Sequence, residues 1–309
     1  MVTTSVRRDV VSFFKSRGIS ERRACSLAGL ARSTFQYKRR RSDPPELTAR
    51  LRELASERPR FGYRRLHALL RREGRAINRK RVYRIYRAQG LAVRRRARGR
   101  PRLARAAPSP TLEHANQRWS MDFVHDYLAD RRTLRMLNVV DAFTRECLAI
   151  EVDTSLSARR VVEVLDRLVW HYGLPETLRV DNGPEFISEM LDRWARRHGV
   201  KLDFIQPGKP TQNAHVESFN GRFRDECLSE ERFPTLARAR LEIEQWRIDY
   251  NTQRPHSALG YVTPKMFGDQ ARQKVPPAAG AAAALSGFAD QAPSQLVTCQ
   301  HAEHMIEVN

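Results

Sequence analysis

The 309-residue sequence has no apolar run that approaches the roughly 18 residues a membrane-crossing helix needs. Its N-terminus lacks the charged, apolar and small-residue succession of a secretory signal, so a cytoplasmic protein of bacterial or archaeal style, nucleoid-associated through its charge, is expected. Cys25, Cys147, Cys227 and Cys299 form no Cys-x-x-Cys pair. That argues against a zinc ribbon or disulfide framework and predicts reduced, mostly buried thiols. Acidic residues are scarce in the first third: residues 1–110 hold 32 Lys or Arg against 7 Asp or Glu, and the remainder 24 against 28. A field that lopsided opposes folding unless a polyanion neutralises it, and phosphate backbones reward it by releasing condensed counterions. Arg outnumbers Lys there, and its planar fork suits phosphate and guanine better than an ammonium does. Double-stranded DNA is the expected partner; no membrane is.

Residues 1–42 read as a short helical, helix-turn-helix-like segment: a helix ending at Gly18, a second run capped by Ser20 and broken at Gly29, and a third opened by Ser33. Residues 43–92 carry three more runs at helical spacing, split at Pro59–Gly62 and near Gly74, as expected of a helix-turn-helix DNA-binding domain. Asn78 is placed to cap the last, whose apolar stripe includes Val82 and Ile85 and whose exposed sides hold Arg79, Lys80 and Arg84 as candidate DNA contacts. Residues 93–112 form a basic, extended linker. From Arg118 the texture changes to WSMDFVHDYL, LRMLNVVDAF and CLAIEVD, then helix, TLRV, helix and KLDFI. Three strands followed by alternating helix and strand is an α/β layer pattern. Residues 113–274 would form this domain, and the Ala- and Pro-biased residues 275–309 a disordered tail.

Three carboxylates stand out by context. Asp122 lies inside the first strand; Asp181 follows TLRV, at the strand end where α/β sheets gather ligand sites; Glu217 sits in a helix. Asn213, Glu217, Asn220 and Arg224 recur on one helical stripe, with Val216, Phe219, Phe223 and Cys227 on another, so Glu217 is expected to face outward from the core as a metal ligand, with Asn213, Asn220 and Arg224 as DNA-contacting neighbours. Mg²⁺ (or Mn²⁺) takes such hard oxygens and is completed by substrate phosphate; two ions about 4 Å apart with DNA bound would drive an in-line phosphoryl displacement without a side-chain nucleophile. Asp126 and Asp141 are rival ligands, Asp126 on the same strand face but about 13 Å along it. His125 and His215 read as structural more than as bases, Arg254 and His256 as DNA contacts or packing, and Trp119, Trp170, Trp194 and Trp246 as core or edge anchors.

The blocks FGYRRLHALLRREG, NRKRVYRIYRAQGLAVRRR, WSMDFV, LNVVDAFTRECLAIEV, DNGPEF, KPTQNAHVESFNGRFRDECL and YNTQRPHSALGYVTP, over about residues 20–267, resemble the OrfB transposases of the IS-three family of bacterial insertion sequences. The resemblance implies a ribonuclease H-like core, a mixed sheet flanked by helices, behind an all-α helix-turn-helix region. It implies an acidic triad at Asp122, Asp181 and Glu217 and metal-dependent cleavage and joining of an element's terminal inverted repeats. It places Arg224 on DNA phosphate or terminus, makes Lys209 and Asn213 site or DNA contacts, sets Asn182 and Gly183 beside the triad, and suggests an upstream-frame product as fusion partner. A homo-multimer is expected, because pairing two DNA ends needs two recognition units. Ala129-Asp130 stands where relatives commonly carry Gly, and Ala142 where they often have a second acid. The weighed alternative is a DNA-binding regulator with a non-catalytic integrase-like core; a retroviral-style zinc module would need more than the His67 and Cys25 that residues 1–110 offer.

Overall fold

The structure, a computed structural model, describes residues 3–37, 43–93, 111–206, 213–229 and 232–274. Lys209, nearly all of the linker and the C-terminal tail lie outside them. The chain divides into one compact unit of Met1–Glu57 with Arg84–Leu91 and another of Arg58–Tyr83 with Ala92–Asn309.

In the first unit α1 (Thr4–Ser16), α2 (Glu21–Leu27) and α3 (Arg32–Gln36) gather around Val11, Ala24 and Cys25. So small a core needs help from polar ties, and Glu21 supplies them by accepting from Lys15, Arg32 and Gln36. Those three hydrogen bonds, Lys15 foremost, hold its carboxyl down at about 2. Ala31, not Ser33, stands at the N-cap of α3. Leu47, Leu51 and Leu54 form the buried row of α4 (Pro45–Glu57). Proline at its first position already has the φ a helix needs and lacks only a donor that would have gone unused.

The second unit begins with α5 (Tyr63–Arg72), followed by α6 (Arg79–Ala88), which runs on into the first unit. Asn78 caps α6 as expected, its Oδ1 accepting from the Lys80 N–H at 2.8 Å, and Val82 and Ile85 are buried. The sheet comprises β1 (Arg118–Tyr127), β2 (Thr133–Asp141), β3 (Cys147–Asp153), β4 (Thr177–Val180) and β5 (Lys201–Phe204), in the order β3-β2-β1-β4-β5. The first three strands are antiparallel neighbours, and β4 and β5 run parallel to β1. This mixed sheet with helices on both faces is the ribonuclease H-like arrangement. α7 (Ala158–Tyr172) and α8 (Glu189–His198) cover one face. Both have serine N-caps, and both stop at a glycine with positive φ, Gly173 and Gly199, which only a residue without Cβ adopts freely. α9 (Ala214–Phe223), a π-helical turn (Arg224–Leu228) and α10 (Leu236–Thr252) cover the other face.

A 3₁₀ turn (Ser257–Leu259) leads to α11 (Pro264–Lys274). Arg272 on α11 donates to Glu146, a carboxylate only 3% exposed. Gly268 faces the same group so closely that any Cβ there would overlap Glu146 Oε2. Cys25, Cys147 and Cys227 are buried and in no disulfide among the described residues, as expected. Trp119 and Trp194 are core residues and Trp246 packs against the core, but Trp170 is 68% exposed on the outer side of α7. No helix among the described residues is long and apolar enough to cross a membrane.

Candidate active site

Strand β1 separates two jobs by its period of two. Trp119, Met121 and Phe123 join the core under α7 and α8, and Val124 joins the core under α9 and α10. By the same alternation Ser120 and Asp122 belong to the α9 face. Arg118–Ser120 pair with Thr177–Arg179, and the register carried two residues further sets Asp181 opposite Asp122. Parallel neighbours lie about 4.8 Å apart, so two carboxylates meet where β1 and β4 point the same way.

Helix α9 lies across that point. Val216, Phe219 and Phe223 are fully buried, each worth roughly 1.5–3 kcal/mol of apolar burial, and they fix the roll of the helix. The roll sets the polar stripe against the sheet. Asn213 donates to the Met121 carbonyl at 3.3 Å, and Asn220 donates to Asp122 Oδ2 at 2.7 Å while accepting from Asn138 at 2.7 Å. Asn138 is the β2 residue opposite Asp122. Asn213 is 3% and Asn220 7% exposed, so these two asparagines are turned toward the sheet and not outward as expected, whereas Arg224 on the same stripe is exposed. Glu217 lies between the two asparagines in sequence and is half-buried, near enough for its charge to act on Asp122. Burial first, then the charge of Asp181, and after it that of Glu217 push the Asp122 carboxyl from 3.8 up to about 6, against hydrogen bonds from Phe123 and Asn220.

After β4 the chain turns sharply to keep Asp181 in place. The Gly183 N–H donates to Asp181 Oδ1 at 3.0 Å, and a Cβ on Gly183 would stand 3.0 Å from the same oxygen, so a side chain there would displace the carboxylate. Asn182 donates to the Ile205 carbonyl at 3.0 Å and ties the loop to the end of β5. Glu185 pairs with Arg135 at 2.6 Å, and Phe186 packs on Phe123 with centroids 5.0 Å apart.

Among the described residues no three His, Cys, Asp or Glu side chains form a ready-made ligand cluster. The triad nonetheless fits a divalent cation. Its donors are hard oxygens, and its mutual repulsion, visible in Asp122, is what such an ion relieves. Asp126 accepts from the Tyr127 N–H further along β1 and is not drawn toward the triad. Asp141 accepts the N–H groups of Asn116, Phe143 and Thr144, holding the β2–β3 turn. Arg224 is exposed beyond α9. Arg79 and Lys80 are exposed, and Arg84 pairs with Asp43 at 2.6 Å. Arg254, 2% exposed, forms a two-point ion pair with Glu226, and His256 packs edge-on against Tyr250. Asn138 went unnoticed in the sequence; its one signal is a polar residue in the apolar run LRMLNVVD, on the same face as Asp122.

An HTH-like domain model matches residues 43–99, and integrase core domain models match residues 113–210 and 198–264. The insertion element IS407 uncharacterized 31.7 kDa protein of Burkholderia multivorans is 52% identical over 82% of this chain and 92% of its own length. The IS476 uncharacterized 39.2 kDa protein of Xanthomonas euvesicatoria is 46% identical over 84% of this chain and 76% of its own. Transposase InsD for insertion element IS2 of Escherichia coli is 29% identical over 74% of this chain and 80% of its own.

Proposed function

Since the chain belongs to the integrase-core transposases of bacterial insertion elements, we propose that Asp122, Asp181 and Glu217 are the acids with which it cleaves and joins DNA strands at the element's terminal inverted repeats. As a DDE polynucleotidyl transferase it acts on DNA. The observation that carries the site assignment is the convergence of the three carboxylates, felt as the raised pKa of Asp122. Asp122, Asp181 and Glu217 would hold Mg²⁺ or Mn²⁺, two ions with DNA bound, and the metal would supply Lewis acidity for phosphoryl transfer. The chain's own residues orient the ligands: Asn220 holds one oxygen of Asp122, and the Gly183 N–H holds one of Asp181. Asn213 pins the start of α9, which fixes the position of Glu217.

Residues 43–92 serve DNA recognition, with Arg79, Lys80 and Arg84 as contacts; Arg224 and Lys209 contact DNA near the site, and residues 113–274 do the chemistry. The protein works in the cytoplasm as a homo-multimer. An interior role for the asparagines disfavours the regulator reading, because a pure binding module has no use for a buried amide aimed at an unpaired carboxylate. The test is cleavage and joining of labelled inverted-repeat DNA by wild type and Glu217→Gln, with Mg²⁺ and with EDTA. Metal-dependent joining that vanishes in the variant while DNA binding persists is expected; equal activity in both proteins would overturn the site.

A further inference from the structure

A second charged site lies on another face of α9. A cavity of about 200 Å³ is lined by Arg65, Arg145, Ser218, Arg222, Arg254 and His256, among others. The four guanidiniums come from α5, the β2–β3 turn, α9 and the segment after α10. Glu226 is the carboxylate that answers them, bonded to Arg254 and 3.6 Å from Arg65. Asp141 also lends charge to Arg145, but its oxygens already accept three backbone N–H groups. Even with both acids counted, the cations are in excess.

The floor of the cavity is as unusual as its charge. His256 is 6% exposed, and its Nε2 has no hydrogen-bond partner among the described residues. A buried, unanswered ring nitrogen is unfavourable by about 1–3 kcal/mol, so a fold retains one where something else completes it. The crowding registers on the walls as well: burial and then Arg254 bring Arg65 down to about 10, and burial foremost lowers Arg222. Exposed Ala214, Ser218, Ser257 and Ala258 form the mouth.

We propose that this cavity binds one phosphate group, gripped by the Arg145 and Arg222 guanidiniums and completed by His256 Nε2. Guanidinium forks match tetrahedral oxyanions, and the cavity has room for a phosphate group with adjoining sugar atoms. Ser218 and Arg222 face this cavity while Glu217 faces β1, so a DNA strand held here runs beside the candidate catalytic carboxylates. The proposal rests on the DNA reading above only for the carrier of the phosphate.

The experiment measures binding of the full chain to inverted-repeat duplex in EDTA over a series of salt concentrations, so that chemistry plays no part. Arg222→Gln is expected to bind about five- to tenfold more weakly at about 0.1 M salt, with the log–log salt slope shallower by about 0.9. Ala258→Glu, at the exposed mouth, tests the same point without touching the interior and is expected to weaken binding similarly. In parallel, inorganic phosphate is tested for raising the melting temperature of wild type and of both variants. A reduced salt slope in the variants identifies a DNA phosphate. An unchanged slope with phosphate protection lost in the variants identifies a free phosphate ion. Unchanged slope and no phosphate protection of wild type would overturn the site, leaving the transposase reading to its own cleavage assay.

Discussion

Asn220→Ala separates the interior role of this residue from the DNA contact its place in the sequence suggests. The side chain donates to Asp122 and accepts from Asn138, and it is 7% exposed. Removing a hydrogen bond to a charged group loses about 1.5–3 kcal/mol, and stranding a buried amide donor, here on Asn138, costs about 1–3 more. The expected loss of unfolding free energy is about 3–5 kcal/mol, read by urea denaturation of the full chain in EDTA. Adding Asn138→Leu to Asn220→Ala takes away the stranded donor and is expected to restore about 1–2 kcal/mol, a coupling that a double-mutant cycle isolates. DNA affinity should change less than twofold, since the amide is buried against Asp122 and Asn138, while strand joining should fall because Asp122 is no longer steered. A stability within about 0.5 kcal/mol of wild type together with a large loss of DNA affinity would refute the reasoning, since that pattern belongs to an exposed contact.

Asp122→Asn addresses the crowding of the triad. Its folded-state pKa, about 6, lies above the ordinary 3.8, so the metal-free fold is penalised above about pH 6 and relieved as pH falls toward 3.8. The variant is expected to be more stable than wild type at pH 8 in EDTA by roughly 1–2 kcal/mol after allowance for solvent screening, with the difference gone near pH 4, followed by urea melts across that range. Glu226→Gln breaks the ion pair to Arg254, of which 2% and 11% of the two side chains are exposed, and should lower stability by about 3–5 kcal/mol in the same measurement.

Much of this was legible because strands and caps obey local rules. The alternation in WSMDFV puts Asp122 and Val124 on one face, and Asp181 directly after TLRV marks a strand end, so the meeting of the two acids follows from sheet geometry once β1 and β4 are neighbours. The asparagines of α9 were placed correctly on one stripe but assigned to the wrong surroundings. Helical periodicity says which residues share a side, not what that side meets, and here the polar side meets Asp122 and Asn138. Asp141 read as a rival ligand because a carboxylate that holds three backbone amides in a turn looks no different in sequence. Trp170 broke the rule that large aromatics are anchors, lying on the outer side of a helix whose inner row is Val161, Val164, Leu165 and Leu168. The arginine-lined cavity was invisible because Arg65, Arg145 and Arg222 come from three distant stretches of the chain, each plainly basic and none a motif.

The contact between Arg272 and Glu146 has a bearing on how such elements decay. Glu146 is buried near the middle of the chain, and its countercharge arrives only with the last described helix, past a glycine that lets the two surfaces touch. A copy of the gene ended by a stop codon before codon 264 would leave that carboxylate uncompensated, at about 3–5 kcal/mol, enough to consume much of a domain's margin. Its product would be cleared by proteases before it could occupy DNA ends in competition with intact enzyme.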